Sequence, residues 1–260
     1  MDVRLLGSGG WVPSDRRETA SVYLREGAHA LVLDAGTGFR RLLTDPELLE
    51  GVERVSVVLS HFHLDHTAGL VCAHALAGVP VREVWAPGRL IAGSTADELV
   101  HRLLGPPFLA ADRDDVLREI LTGIHELEGD VAIGPFTIET RVQPRHAGPT
   151  VALKVNGELA YCTDTAYDEE NAAFVRGARV LLHEAFHASD ETDDPIHSAA
   201  GEAARIAASA GAERLVLIHV HPLLAADDDL LGFAAKRFPA SEVGRDGPLL
   251  RSAFFDRAAR

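Results

Sequence analysis

The stretch SHFHLDH, residues 60–66, follows directly on an apolar run at residues 52–59. A short run rich in valine is typical of a buried strand. Imidazole groups crowded at the end of such a strand are unfavourable in a protein interior unless they bind something. Side chains two apart in an extended segment face the same way, so His61 and His63 are expected to point together.

Asp65 and His66 follow where the chain turns into a predicted helix. Zinc binds neutral imidazole and carboxylate groups. An exposed polar turn does not readily account for four such groups within residues 61–66. The motif therefore predicts a metal site at the end of a strand.

Apolar strand patterns alternate with helical patterns along the whole chain, which predicts one α/β domain over residues 1–260. The predicted strands cover residues 3–7, 21–25, 29–34, 55–60, 83–87, 136–142, 150–155, 158–163, 178–185 and 214–220. The predicted helices cover residues 67–78, 96–105, 114–124 and 198–211. Asn156-Gly157 lies between two of the strands and is a strong signal for a tight hairpin.

Polar clusters recur where the predicted strands stop. They are DAGTG after the strand at 29–34, TDT near 164, HEA near 184 and HVHP from 219. Loops at the ends of strands in a rigid sheet are where binding and catalytic residues concentrate. The pattern predicts that these ends converge in one cleft.

The formal net charge of −14 argues against a broad nucleic-acid surface, because affinity for polyanions rests on Lys and Arg neutralising phosphates. A small phosphate-bearing substrate remains compatible with this charge, since a bound metal inverts the local field.

No apolar run reaches the roughly 18 residues of a membrane span. The N-terminal residues do not resemble a signal peptide, so a cytoplasmic protein is expected. Cys72 and Cys162 are too few for a disulfide framework.

The motif His61-Phe-His63-Leu-Asp65-His66 resembles the HxHxDH signature of the metallo-β-lactamase superfamily. The resemblance is greatest to the branch that contains ribonuclease Z and related phosphodiesterases. It also rests on LLGSGGWVPSDRRETAS, LVLDAGTGFRRLL, YCTDTAY, LLHEAF, the His197-Ser198 pair and LVLIHVHP, in that order. It implies a four-layer αβ/βα sandwich.

The resemblance implies two metal sites joined by Asp164. The first would be formed by His61, His63 and His146, and the second by Asp65, His66 and His219. His221, two residues beyond His219, stays open as the alternative last ligand. The implied cofactors are two divalent ions, zinc in the first place with manganese and iron as alternatives. They would activate a bridging water that Asp65 helps to orient.

Glu184 and His197 match a glutamate–histidine pair of the ribonuclease Z branch. A leaving alkoxide needs a proton, and a histidine within reach is its usual source. Ser198 is predicted to cap the following helix, and Glu184 would hold one tautomer of His197. The pair favours phosphodiester chemistry, with a purely structural hydrogen bond as the alternative.

Only 17 residues separate His146 from Asp164, and the predicted hairpin takes up nearly all of them. Transfer-RNA-processing members of the branch commonly carry a long arm at this place. We therefore predict a dinuclear metal-dependent phosphodiesterase that acts on a small or nucleotide diester, and we expect neither extended nucleic acid nor a membrane as its partner. Transfer-RNA precursor cleavage and ester, thioester or lactone hydrolysis are the alternatives. Residues 95–130 are predicted to be helical and to form a lid or a homodimer surface.

Overall fold

The computed structural model describes residues 1–109, 119–223, 226–247 and 249–250. Its strands, in chain order, are β1 (Asp2–Gly7), β2 (Ser21–Glu26), β3 (His29–Leu33), β4 (Arg54–Val58), β5 (Val81–Ala86), β6 (Gly123–Glu126), β7 (Val131–Ile133), β8 (Phe136–Gln143), β9 (Thr150–Val155), β10 (Leu159–Cys162), β11 (Val180–Glu184), β12 (Arg214–Ile218), β13 (Ser241–Val243) and β14 (Leu249–Leu250).

These strands form two sheets of seven within the described residues. The first has the order β14-β1-β2-β3-β4-β5-β6, and the second has the order β13-β12-β11-β10-β9-β8-β7. Each sheet joins an antiparallel part to a parallel part. Strands β3 to β6 run parallel in the first sheet, and strands β10 to β13 run parallel in the second.

The helices are short and pack on the outer faces of the sheets. They are α1 (Arg41–Thr44), α2 (Leu64–Thr67), α3 (Ala96–Leu104), α4 (Glu170–Val175), α5 (Ala200–Ala210) and α6 (Asp227–Arg237). Stretches of 3-10 helix cover Thr37–Arg40, Pro46–Leu48 and Ala68–Leu76, and a π turn covers Gly88–Ala92. No helix in the described part of the chain has both the length and the apolar character to cross a membrane.

The alternation of side chains along each strand produces the layers. In β3, Leu31 and Leu33 face the core between the two sheets, whereas Ala30 and Val32 face the outer helical layer. In β10, Tyr161 enters the same inner core and Ala160 packs beneath the alanine-rich helix α5. Helix, sheet, sheet and helix therefore follow one another, and the predicted four-layer αβ/βα sandwich is confirmed.

Local patterns predicted some elements well and others poorly. Asn156 and Gly157 have φ values of 53° and 65° and join antiparallel β9 and β10, so the hairpin is confirmed. Residues 123–124, predicted as the end of a helix, begin β6 instead, because they pair with β5 along the sheet edge. The rest of that predicted helix falls largely outside the described residues. The 95–130 segment is thus helical at α3 but not throughout.

The loops that follow β4, β8, β10, β11 and β12 meet at one edge of the sandwich. A glycine-rich loop after β1 connects the sheets there, since Gly9 bridges to both Thr19 and Val220. At Gly10 a Cβ atom would lie 2.4 Å from the His219 ring, so only glycine fits. This edge holds the polar clusters noted in the sequence.

Candidate metal centre

The HxHxDH motif spans the turn between β4 and α2. His63 is extended, with φ −63° and ψ 150°, and occupies the N-cap of α2. His61 and His63 therefore lie on the extended segment, while Asp65 and His66 lie on the helical turn. One short stretch consequently presents four donor groups in two different directions.

Three further loops complete two groups of donor atoms, each group lying within 4.8 Å. His146 follows β8, Asp164 follows β10 and His219 follows β12. The first group, called cluster A here, consists of His61, His63, His146 and Asp164. The second, cluster B, consists of Asp65, His66, Asp164 and His219.

Asp164 directs one carboxylate oxygen to each cluster. Its Oδ1 lies 3.5 Å from Nε2 of His146 and 3.8 Å from Nε2 of His61. Its Oδ2 lies 2.9 Å from Nε2 of His66 and 3.3 Å from Nε2 of His219. This is the arrangement that a carboxylate shared by two cations requires.

The remaining donors close each cluster. In cluster A, Nδ1 of His63 lies 3.2 Å from Nε2 of His146. In cluster B, Oδ2 of Asp65 lies 3.2 Å from Nε2 of His219. Nitrogen lone pairs and carboxylate oxygens thus face one another at separations that a bound cation would bridge.

His219, not His221, lies in cluster B. Nδ1 of His221 accepts a hydrogen bond from the backbone N–H of Leu223, and its ring lines the adjacent cavity. The two residues differ because His219, directly after β12, has a left-handed conformation with φ 50° that turns its ring into the cluster.

The histidine tautomers fit a metal. Nδ1–H of His61 donates to Oγ of Ser60, whose own hydroxyl donates to Asp34. Nδ1–H of His66 donates to Asp34, and Nδ1–H of His146 donates to the Ile196 carbonyl. Because Nδ1 is engaged in each ring, Nε2 is the nitrogen that each ring directs to its cluster. Nε2 of His61 is buried without a hydrogen-bond partner, as expected of a metal ligand.

The charges of His61 and Asp164 favour the ligand forms. At His66 and His219, by contrast, burial alone would lower the pKa, but the neighbouring carboxylates raise the pKa of these two rings above its usual value. Burial, reinforced by the neighbouring His66, holds the pKa of His61 well below its usual range, so this ring is neutral. Burial alone would raise the pKa of Asp164, but His219 and His66 hold that pKa well below its usual range. The shared carboxylate is therefore ionised and able to accept cations.

Asp34 is a site residue that the sequence analysis did not single out, although DAGTG was noted as a polar strand end. It is fully buried, and its Oδ2 accepts hydrogen bonds of 2.7 Å from His66, Ser60 and Tyr161. Its Oδ1 accepts the Ser60 N–H at 2.7 Å. Asp34 thus orients one ring directly and His61 through Ser60.

We expect Asp34→Asn to weaken metal binding by about 10- to 100-fold, because an amide is a poorer acceptor for Nδ1–H of His66. Competition with a chromogenic chelator measures the affinity. Ser21→Ala, which removes a buried hydroxyl without a hydrogen-bond partner, is the matched control. Unchanged metal affinity in the Asp34 variant would contradict the orienting role.

Glu184 and His197 lie beside cluster B as a hydrogen-bonded pair. Nδ1–H of His197 donates to Oε2 of Glu184 at 2.8 Å, and Glu184 is fully buried. The His197 ring stacks on Phe186 with a centroid separation of 4.1 Å. Burial alone would lower the pKa of His197, but the hydrogen bond to Glu184 raises that pKa above its usual value. The ring is thus both positioned and disposed to carry a proton.

The predicted capping role of Ser198 is wrong. Helix α5 has Ala199 at its N-cap, and Glu202 accepts the Ala199 N–H at 2.8 Å. Ser198 is buried one residue earlier and its hydroxyl donates to the Thr165 carbonyl. The hydroxyl therefore joins two loops of the site instead of beginning the helix.

Asp194 holds the loop that carries His197. Its Oδ1 accepts the Ile196 N–H at 2.9 Å, and its Oδ2 accepts Nε2–H of His187 at 2.8 Å. The carbonyl of the same Ile196 binds His146. One turn therefore positions a cluster A ligand and the His197 ring together.

A cavity of about 420 Å³ opens onto the clusters. Its wall includes His63, Asp65, His146, Asp164 and His219 on the metal side. It also includes Trp11, Ala147, Phe186, Asp194, Ile196, His197 and His221. The predicted convergence of separate strand ends in one cleft is therefore observed.

The beta-lactamase superfamily domain matches residues 29–220, which contain every residue of both clusters. The match covers most of the chain. The fold and the site define a metal-dependent hydrolase, and the chain belongs to the beta-lactamase superfamily.

Individual proteins are similar to this chain in sequence or in fold. A ribonuclease Z of Methanopyrus kandleri is 29% identical, with 96% of this chain and 97% of that relative covered. The metallo-beta-lactamase fold protein YhfI of Bacillus subtilis has a TM-score of 0.77 at 23% identity, covering 95% and 97% of the two chains. A diphosphatase of the PhnP family has a TM-score of 0.68 at 20% identity, covering 96% of each chain.

Proposed function

We propose that the chain is a dinuclear metal-dependent phosphodiesterase that acts on a small or nucleotide phosphodiester. The observation that carries this proposal is the Glu184–His197 pair at the edge of the two clusters. An enzyme that cleaves an alkyl phosphodiester must protonate a poor leaving group. His197 lies on the cavity wall, where such a leaving group would depart.

The pair supplies the proton without moving. Nδ1–H of His197 is engaged with Glu184, so its Nε2 is the nitrogen left for the substrate. As the phosphorus–oxygen bond breaks, the leaving oxygen takes the proton from Nε2–H. The ionised Glu184 stabilises the imidazolium before transfer and keeps the proton of the neutral ring on Nδ1.

Clusters A and B would each hold one divalent ion, with Asp164 shared between them. Such ions would supply an activated water and would neutralise charge that develops on the phosphoryl oxygens. Imidazole and carboxylate donors suit zinc, and manganese and iron are the alternatives. Asp65 belongs to cluster B and also faces the cavity, which supports a role in orienting the attacking water.

Size and charge support a small substrate. The cavity volume is in the range of small-molecule sites, about 300–1,000 Å³. The net charge of −14 is unfavourable for binding a long polyanion such as RNA. Between His146 and Asp164, strands β9 and β10 with their tight turn leave no room for an RNA-binding arm. We propose that extended nucleic acid is not a partner.

Endonucleolytic cleavage of transfer-RNA precursors is the second candidate. It is favoured by the curated relatives named ribonuclease Z, which match nearly the whole chain. The same His197 proton donor would serve this reaction. The two candidates differ in the substrate they need, so a substrate panel separates them.

We expect purified protein supplied with zinc or manganese to hydrolyse bis(p-nitrophenyl) phosphate and to lose this activity after chelation. The panel also contains p-nitrophenyl acetate, a thioester, a lactone and a transfer-RNA precursor with a 3′ trailer. Initial rates on each compound, with His63→Ala as the inactive control, give the comparison.

Preference for the phosphodiester over acyl compounds by orders of magnitude supports the proposal. Preference for acyl substrates would contradict it. Specific release of the 3′ trailer at a higher kcat/KM than that of the small diester would replace it with the second candidate.

A further inference from the structure

Trp11 has a backbone conformation that its side chain does not favour. Its φ is 64°, a left-handed value that is strained for a bulky residue and easy for glycine. It directly follows Gly9 and Gly10 in the loop between β1 and β2. A large side chain thus occupies a position where a third glycine would adopt the same backbone conformation with less strain.

Strain of this kind is concentrated at the site. Among the described residues, the non-glycine positions with positive φ are Trp11, Asp34, Asn156, Asp164 and His219. Asn156 belongs to the hairpin turn, whereas Asp34, Asp164 and His219 act in or behind the clusters. Strained residues that persist at a site generally mark a functional constraint. Of the four that lie at the site, Trp11 is the one whose side chain has no role in the metal centre.

The backbone of Trp11 does contribute to the centre. Its N–H donates to Oδ2 of Asp65 at 2.8 Å. Any residue other than proline could make this bond, so it does not account for tryptophan. It does anchor the indole to the part of the cavity next to cluster B.

The indole itself is available to a ligand. Trp11 is 58% exposed and lines the cavity, and its ring centroid lies 5.7 Å from that of His221. Phe186 lies beyond His221, with a centroid separation of 4.5 Å. One side of the cavity is therefore aromatic, while the clusters form its polar floor.

We propose that the Trp11 indole is a stacking platform for a nucleobase, and that the substrates are phosphodiesters bearing a nucleoside. In a nucleotide one sugar separates the base from the phosphate, so a phosphate at the clusters brings the base to the cavity rim. Aromatic stacking is strong and tolerant of base identity, because every base has a π face. This inference rests on the proposed phosphodiesterase function and names its substrate class.

A pair of substrates tests the platform: 2′,3′-cyclic AMP and the 2,3-cyclic phosphate of methyl riboside, which has the same diester but no base. We expect Trp11→Ala to lower the ratio of their kcat/KM values, base-bearing over baseless, by about tenfold. Trp11→Phe retains an aromatic face and should keep most of the ratio. Both variants keep the backbone N–H that binds Asp65. Val12→Ala, at the exposed neighbouring position, is the control.

Binding measured by equilibrium dialysis separates this inference from the proposed function. Zinc-loaded wild-type protein and Trp11→Ala are each titrated with AMP and with ribose 5-phosphate. If the wild type hydrolyses neither cyclic diester nor bis(p-nitrophenyl) phosphate, the phosphodiesterase proposal fails. Tighter binding of AMP that depends on Trp11 would still support the platform. If Trp11→Ala changes neither the kcat/KM ratio nor the preference for AMP, the stacking inference is overturned.

Discussion

Asp164→Ala is expected to remove metal from both clusters and to lower turnover of bis(p-nitrophenyl) phosphate by at least about 10³-fold. The reason is geometric. The two oxygens of Asp164 face different clusters, at 3.5 Å from His146 and 2.9 Å from His66. Loss of a histidine such as His61 removes a donor from one cluster, whereas loss of Asp164 removes one from each.

Elemental analysis of the purified variant, expressed as metal per chain, measures the first effect. Thermal unfolding of chelated wild type and variant checks that the fold survives. Asp193→Ala, an exposed aspartate on the loop near His197, is the matched control and should keep its metal. If Asp164→Ala retained the metal content and activity of the wild type, the shared-ligand assignment would be refuted.

The second large effect concerns the proton donor. His197→Gln is expected to lower kcat for an alkyl phosphodiester by about 10²- to 10⁴-fold, the usual contribution of general acid catalysis. Its occupancy of clusters A and B should not change, because Nδ1 of His197 binds Glu184 and the ring belongs to neither cluster. Activity assays paired with metal analysis separate this variant from Asp164→Ala.

Leaving-group dependence distinguishes a proton donor from a merely structural residue. p-Nitrophenolate departs without protonation, so His197→Gln should impair bis(p-nitrophenyl) phosphate far less than a methyl or nucleoside diester. The exposed His74 supplies the control His74→Gln. An equal loss on both kinds of substrate would show that His197 supports the fold of the site and does not donate the proton.

The HxHxDH group could be predicted from local sequence because its geometry is local. His61 and His63 are two residues apart on an extended segment, and Asp65 and His66 lie on the first turn of α2. Spacing along one short stretch determines which side chains point together. His146, Asp164 and His219 needed the family resemblance and the strand-end rule, since nothing local relates them.

Other features could not be predicted from the local sequence. Asp34 occupies a polar strand end like several others, and only its contacts with His66, Ser60 and Tyr161 distinguish it. The short edge strands β6, β7 and β13 contain too few residues to show a clear alternation of apolar and polar side chains. They form because a neighbouring strand is present to pair with.

The sequence by itself determined the class of chemistry, the alternation of strands and helices, and the hairpin at Asn156-Gly157. Each of these depends on residues close together in the chain. The tertiary structure alone decided how the two oxygens of Asp164 divide between the clusters, that His219 rather than His221 enters cluster B, and that Trp11 lines the cavity. These depend on how β1, β10 and β12 end at the same edge of the sandwich, which is a property of sheet packing between residues remote in sequence.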